Sequence, residues 1–342
     1  MATGPARVEE EAAIDRDRPI VDPHHHLWDI KAAPGSLQTP QTFLLPDMAE
    51  TVARSGHAIV QTVAVECGAM YRADGPELMK PLGEVEFLRG MAAMSASGDY
   101  GPCRIGGAIV AGANLSLGEA VLPLLEAQAA AAGGRLRGVR AHTAWRAAGM
   151  FGFPCAPEGR GTMLSAGFVA GARRLERLGL SLDLWCFHGQ IGEVAALADA
   201  VPGLSIILDH VGTPDLSGPA GGEAEAMAQW RAAIRDLARR PNVCVKIGGM
   251  GMDCTAPIGS RAERAPSEIL AERWRPLVTP VLDAFTPARA LFESNFPPDA
   301  ASGSYGAIWN SFKRIASALS EDEKTALFSG TARRVYRLDR LD

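Results

Sequence analysis

Eight times along this chain of 342 residues, a short β-branched or apolar run is followed by a polar or glycine-rich turn and then by a longer stretch with helical periodicity. The runs lie at 19–22, 58–65, 104–111, 136–140, 180–185, 204–208, 243–247 and 288–292. Such alternation puts parallel strands at the centre and helices outside them. Eight is the number that closes a (β/α)8, or TIM, barrel, so an α/β barrel in one domain is the predicted architecture. An open doubly wound sheet shares the same alternation and remains the alternative.

The helical stretches carry their own signals. In "GQIGEVAALADAV", Ile191, Val194, Leu197 and Ala198 recur on one face, the spacing of a helix packed on a sheet. Near the end, Ser320 and Glu323 form a capping box, and Gly330 is the predicted stop. Two connections are long and irregular, "AWRAAGMFGFPCAPEGRG" and "GGMGMDCTAPIGSRAERAP"; long loops in a compact domain commonly line or cover a site. The domain is predicted over 19–342, with 1–18 a disordered acidic tail.

Charge and cysteine usage exclude several partners. With 34 basic against 39 acidic residues the net charge is −5, and no basic run tracks along the chain, which argues against nucleic acid. The most apolar long window, 105–125, is broken by Asn114, Ser116 and Glu119, which argues against a membrane span. The six cysteines are scattered without a C-x-x-C pair, as in reduced thiols of a cytoplasmic protein. The partner is predicted to be a small-molecule substrate, with a homo-oligomer left open.

Polar residues gather at the carboxyl ends of the predicted strands, where barrel active sites are assembled. They are His24, His25 and His26 at the first strand, Glu66 at the second, Arg140 and His142 at the fourth, and His188 and Gln190 at the fifth. Asp209 and His210 follow at the sixth, Lys246 at the seventh, and Glu293 and Asn295 at the eighth. In an extended segment His24 and His26 share a face about 6.5 Å apart, with His25 turned away. Two such imidazoles converge on one divalent metal, and His210 and His188 extend the donor set toward zinc. Asp22, on the same parity, is a candidate to orient a histidine. Against this stands the plainer reading, in which a strand-end histidine is a hydrogen-bonded structural residue and Glu66 with Arg140 is a buried ion pair. Nucleophile-elbow, Walker-type, H-E-x-x-H and dinucleotide motifs are all missing from the sequence.

In order, "VDPHHHLWD", "VAVECGAMYRADGPE", "RGVRAHTAW", "ILDHVGTP", "NVCVKIGGMGM" and "LFESNFPPD" resemble the amidohydrolase superfamily, in particular the lactonase-like branch of its amidohydrolase-2 proteins. The resemblance runs from about residue 19 to the end. It implies a distorted (β/α)8 barrel with elaborated βα loops and hydrolysis of a cyclic ester. It also implies His24, His26 and His210 as ligands of a divalent metal, zinc by donor type, in a branch that includes metal-independent members.

Where the family usually presents an Asp on the eighth strand, this chain has Asn295, and an amide cannot take a proton at neutral pH. Glu66 is then the first candidate base, followed by Glu293, Asp299 and His188. Arg140, His142, Lys246 and Asn295 are the candidate substrate contacts, Arg140 by bidentate grip on a carboxylate. Two rivals remain open at this point: a non-oxidative decarboxylase on the same barrel, and a catalytically silent ligand-binding barrel.

Overall fold

The computed structural model describes residues 10–31, 41–147, 149, 159–216, 222–252 and 264–338. Eight strands, β1 (Ile20–His25), β2 (Ile59–Val65), β3 (Arg104–Gly112), β4 (Leu136–His142), β5 (Ser181–Trp185), β6 (Ile206–Leu208), β7 (Val243–Ile247) and β8 (Ala290–Phe292), lie side by side in chain order. Every neighbouring pair is parallel. The ring is completed by a parallel bridge between His25 and Phe296, where the His26 amide donates to Phe296 O at 2.8 Å. This is the expected barrel, and it excludes the open sheet.

Helices alternate with the strands: α1 (Leu45–Ser55), α2 (Leu82–Ala96), α3 (Leu122–Ala131), α4 (Ala166–Leu178), α5 (Ile191–Ala200), α6 (Glu223–Leu237), α7 (Ser267–Phe285) and α8 (Tyr305–Ile315). The predicted face of α5 is buried through Ile191, Val194, Leu197 and Ala198. Outward strand residues such as Ile20, Val139, Leu182 and Val245 join the helices in one continuous core. Inward residues Val21, Val63, Val65, Val110, Ile207 and Leu291 form a second cluster with Ala332, Val335, Tyr336 and Leu338 from the chain's last helix and the residues just after it. That helix sits at the amino ends of the strands, because Thr331 Oγ1 reaches Pro287 O at 3.2 Å just before β8.

Several expectations change. The capping box of Ser320 and Glu323 is present, but Gly330 does not end the helix. From α9 (Glu321–Thr325) the chain passes through a π-helical turn, Ala326–Gly330, directly into α10 (Thr331–Val335), with Gly330 at φ −63°. A two-stranded antiparallel hairpin, Trp28–Ile30 with Gln41–Phe43, stands outside the barrel and has no counterpart in the strand pattern.

The disordered acidic tail predicted over 1–18 does not extend over residues 10–18. The Ser304 hydroxyl donates to Glu10, the Ser267 amide to Glu11 at 2.6 Å, the Ile14 amide to Asn310 at 2.8 Å, and Arg18 pairs with Asp15 and Glu321. The acidic side chains find helix N-termini there, which favour negative charge; residues 1–9 lie outside the described residues. The central parts of both long loops, 150–158 and 253–263, lie outside them as well. Cys67, Cys103, Cys186 and Cys244 are free thiols. Among the described residues no helix is long and apolar enough to cross a membrane.

Candidate functional site

The histidines of "DPHHH" are positioned by an irregularity in β1. Val21 pairs with Gln61 and Asp22 with Thr62, but His25 pairs with Ala64, so β1 holds one more residue than β2 over this span. The extra residue resets the alternation. Val21 faces the barrel interior, whereas Asp22 faces α8, where it accepts from Ser294 Oγ at 2.6 Å and from Tyr305 Oη at 2.9 Å. Asp22 therefore orients no imidazole; what it receives from His24 is the backbone amide, at 3.3 Å. His25 also turns outward, its Nε2 2.8 Å from Thr62 Oγ1.

His24 and His26 converge. Their Nε2 atoms are 3.2 Å apart. His26 Nδ1 lies 2.9 Å from Val65 O; a carbonyl only accepts, so Nδ1 carries the proton and Nε2 is a bare lone pair. His210 joins from the end of β6, its ring centroid 4.7 Å from that of His24. The turn that presents it is strained: His210 and Val211 have φ of 54° and 51°, a region such residues leave unless the surroundings hold them there. The glycine pair after β7 makes the space. A Cβ on Gly248 would collide with Glu293, and one on Gly249, itself at φ 64°, would collide with the His210 ring.

Beneath the imidazoles lies a fully buried charged layer. Lys246 Nζ is 2.6 Å from Asp183 Oδ2, 3.1 Å from Asp209 Oδ1 and 3.1 Å from His24 Nδ1. Tyr336, from the closing helix, donates to the same Asp183 oxygen at 2.6 Å. Glu293 places Oε1 2.7 Å from His210 Nδ1 and Oε2 2.9 Å from His24 Nδ1. Burial alone would raise the Glu293 carboxyl, but His210 and His24 outweigh it and hold it down at about 2. Burial and Lys246 push His24 well below the ordinary imidazole range, while Glu293 overcomes burial at His210 and raises it.

These residues fit a divalent cation on their own chemistry. His24, Asp209 and His210 each offer a donor atom within 4.8 Å of the others, all buried. Asp209 Oδ1 has the ion pair with Lys246, but its Oδ2 is buried without a hydrogen bond, a costly state for that oxygen unless a further cation reaches it. Tetrahedral ligands at zinc–nitrogen distances sit roughly 3.3 Å apart, close to the separation of the His24 and His26 nitrogens. Three carboxylates, Asp183, Asp209 and Glu293, face the one ammonium of Lys246, and two positive charges would balance them.

The remaining candidates divide. Glu66 is in an ion pair with Arg140, whose Nε donates to Oε1 at 2.7 Å and whose Nη2 donates to the Glu66 carbonyl; Arg140 Nη1 stands 3.5 Å from His24 Nε2. The buried pair of the plainer reading therefore exists, directly beside the cluster. His188 is half-buried, takes the Asp215 amide on Nδ1 at 3.0 Å, and makes no hydrogen bond or ion pair with His24, His26 or His210. Asn295, at φ 47°, donates Nδ2 to Asp299 Oδ1 at 2.8 Å. The Gly251 amide donates to Asp299 Oδ2 at 3.1 Å, and burial raises this carboxyl to about 7. The His142 side chain lies outside the described residues, although its backbone ends β4.

Asp209 and Asp183 are the residues that motif reading underweighted. Both were legible by parity, since Asp209 lies two residues beyond the inward Ile207.

Comparison with known proteins places this geometry. Over 337 residues the chain is 31% identical to the uncharacterised protein y4mH of Sinorhizobium fredii, covering 94% of this chain and 99% of that one. Over 174 residues it is 33% identical to an L-fucono-1,5-lactonase of Burkholderia multivorans, covering 51% of this chain and 56% of the lactonase. A crystal structure of an amidohydrolase from Burkholderia multivorans with bound zinc superposes at a TM-score of 0.72 with 27% identity, covering 94% of this chain and 99% of that one. The amidohydrolase-2 family profile matches residues 21–338, so from the first barrel strand to the closing helix this chain belongs to the amidohydrolase-2 family.

Proposed function

We propose that the protein is a hydrolase that opens a lactone of a small, carboxylated or sugar-acid substrate by activated water. The observation that carries this reading is the meeting of His24, His26, His210 and a buried Asp209 with one oxygen free of hydrogen bonds at the carboxyl ends of the strands. Similarity to an L-fucono-1,5-lactonase over half the chain supports the substrate class.

His24, His26, His210 and Asp209 would hold the divalent cation, and three imidazoles with one carboxylate favour zinc. When bound, it supplies a water whose pKa falls toward about 7 and a Lewis acid for the ring carbonyl. The chain's own groups do the rest. Of the carboxylates at this end, Glu66 is occupied by Arg140 and Glu293 by two imidazoles. Asp299 is left as the proton acceptor, because its affinity for a proton near pH 7 suits a base at neutral pH. Asn295, unable to take the proton itself, aims Asp299 through its amide. Arg140, oriented by Glu66, turns Nη1 toward the cluster, where it would meet a carboxylate or the ring oxygen of the substrate. Lys246 is fully buried and committed to Asp183 and Asp209, so its part is charge balance and not substrate contact.

A panel of sugar-acid and dicarboxylate lactones, followed by NMR for ring opening, tests the reading. Wild type should turn over at least one member, and His24→Ala with His26→Ala should abolish that turnover. Unimpaired hydrolysis by the double variant, or release of carbon dioxide in place of ring opening, would refute it.

A further inference from the structure

We propose that His188 is a specificity-determining residue: neither metal ligand nor base, it is a fixed Nε2–H donor for a hydroxyl oxygen of a sugar-acid lactone. This rests on the proposed lactone-opening reading of the site and deepens it.

The chain itself locates the proton. The Asp215 backbone amide donates to His188 Nδ1 at 3.0 Å. A nitrogen that accepts carries no proton, so the neutral ring bears its proton on Nε2. Burial lowers the ring below the ordinary imidazole range, against the smaller pull of Asp215, so it is neutral at pH 7. In that form Nε2 can donate, but it has no lone pair for a metal or for a substrate proton. Among the described residues no group takes the Nε2 proton, and the nitrogen is not sealed from solvent. The neighbouring Gly189 is exposed, and a Cβ there would meet nothing within 4 Å, so this side of the turn is open.

Both anchors of His188 come from the segment that presents His210. The His188 amide donates to Thr213 O at 3.1 Å, and Thr213 Oγ1 accepts from Trp185 Nε1 at 3.1 Å. The Trp185 ring in turn stands 6.4 Å from that of His210. Asp215 is held from a third strand end: its carboxylate pairs with Arg146 Nη1 at 3.1 Å, and that guanidinium lies 5.2 Å from the centre of the Phe187 ring. The loops after β4 and β6 thus converge on one imidazole, which cannot turn over without losing its bond to the Asp215 amide. A donor fixed in this way favours a substrate that brings an oxygen to it over an analogue that lacks one.

Nitrogen-15 histidine NMR of the wild-type chain reads the tautomer without substrate. An Nε2-protonated ring at His188 supports the assignment; an Nδ1-protonated or doubly protonated ring at pH 7 overturns it. For each sugar lactone that wild type opens, KM is measured beside those of its monodeoxy analogues. His188→Ala should raise KM about 3–10-fold, the worth of one neutral hydrogen bond, with the loss in KM and not in kcat. The analogue lacking the contacted hydroxyl should be unaffected by the substitution. Zinc chloride uptake, read against a chromophoric chelator, should agree within about twofold between the two proteins. An equal rise in KM for every analogue, or zinc bound tenfold or more weakly by the variant, would overturn the assignment. If no lactone is opened, titration calorimetry with sodium gluconate replaces KM: binding weakened by the same factor in the variant supports the donor, and unchanged or absent binding overturns it. Failure of the proposed reaction and failure of this assignment are therefore separately visible.

Discussion

At the scale of single residues, the site is a problem of where protons and charges rest in a dry interior. Asn295 and Asp299 illustrate it, because the strand-end residue is an amide and the titrating carboxyl stands four positions on, in contact with it. The groups facing Asp299 are His210, whose charge favours the carboxylate, and Glu293, whose charge opposes it. A base must be deprotonated to act, so turnover should rise as pH passes upward through about 7, the value to which burial brings Asp299. Asp299→Asn should lower kcat by about 10²–10⁴-fold and flatten that rise, as read from a pH–rate profile of the two proteins. An unchanged profile in the variant would move the base elsewhere.

Elements decide how those residues are presented. The extra residue in β1 puts His24 inside and His25 outside, the left-handed turn after β6 swings His210 inward, and Gly248 and Gly249 clear the volume that Glu293 and His210 fill. On the outer face, the segment from Glu10 to Arg18 is strapped to α7 and α8, and its anchor is Lys313. That ammonium takes the carbonyls of Ile14 and Asp15 at 2.8 Å each and His57 Nδ1 at 2.9 Å.

His57 is neutral there: burial first, and then Lys313, lower it to about 4 against an ordinary 6.5. The unfolded chain therefore binds the extra proton between those two values, and stability should rise with pH across that window and fall as pH drops through it. The contribution is at most about 3 kcal/mol. Urea unfolding at pH 7 and pH 4.5 should show a smaller loss for His57→Asn than for wild type; equal losses would remove His57 as the cause.

For the whole molecule, the two ends of the barrel are coupled through its interior. The closing helix α10 fills the amino end with Val335 and Tyr336, and the Tyr336 hydroxyl reaches Asp183, which holds Lys246 beneath His24. Tyr336→Phe removes a buried hydrogen bond to a charged group and should cost about 1.5–3 kcal/mol in urea unfolding; no measurable loss would mean that Asp183 is satisfied without it.

The order of eight strands, the helices between them and the carboxyl-end gathering of histidines were all legible in the sequence, because alternation and 3.6-residue periodicity are local and short-range patterns report them. The amino-acid order by itself thus determined a parallel α/β fold of eight strands and the strand ends at which the histidines gather, and the closure between His25 and Phe296 decided for the barrel over the open sheet. Only the tertiary structure decided that Asp22 faces α8, that Glu66 is taken by Arg140, that Glu293 holds His210, and that residues 10–18 are strapped down. Each of those depends on which side chain from a distant strand or helix arrives within about 3 Å, and a one-residue bulge or a left-handed turn is enough to change the partner without altering the pattern along the chain.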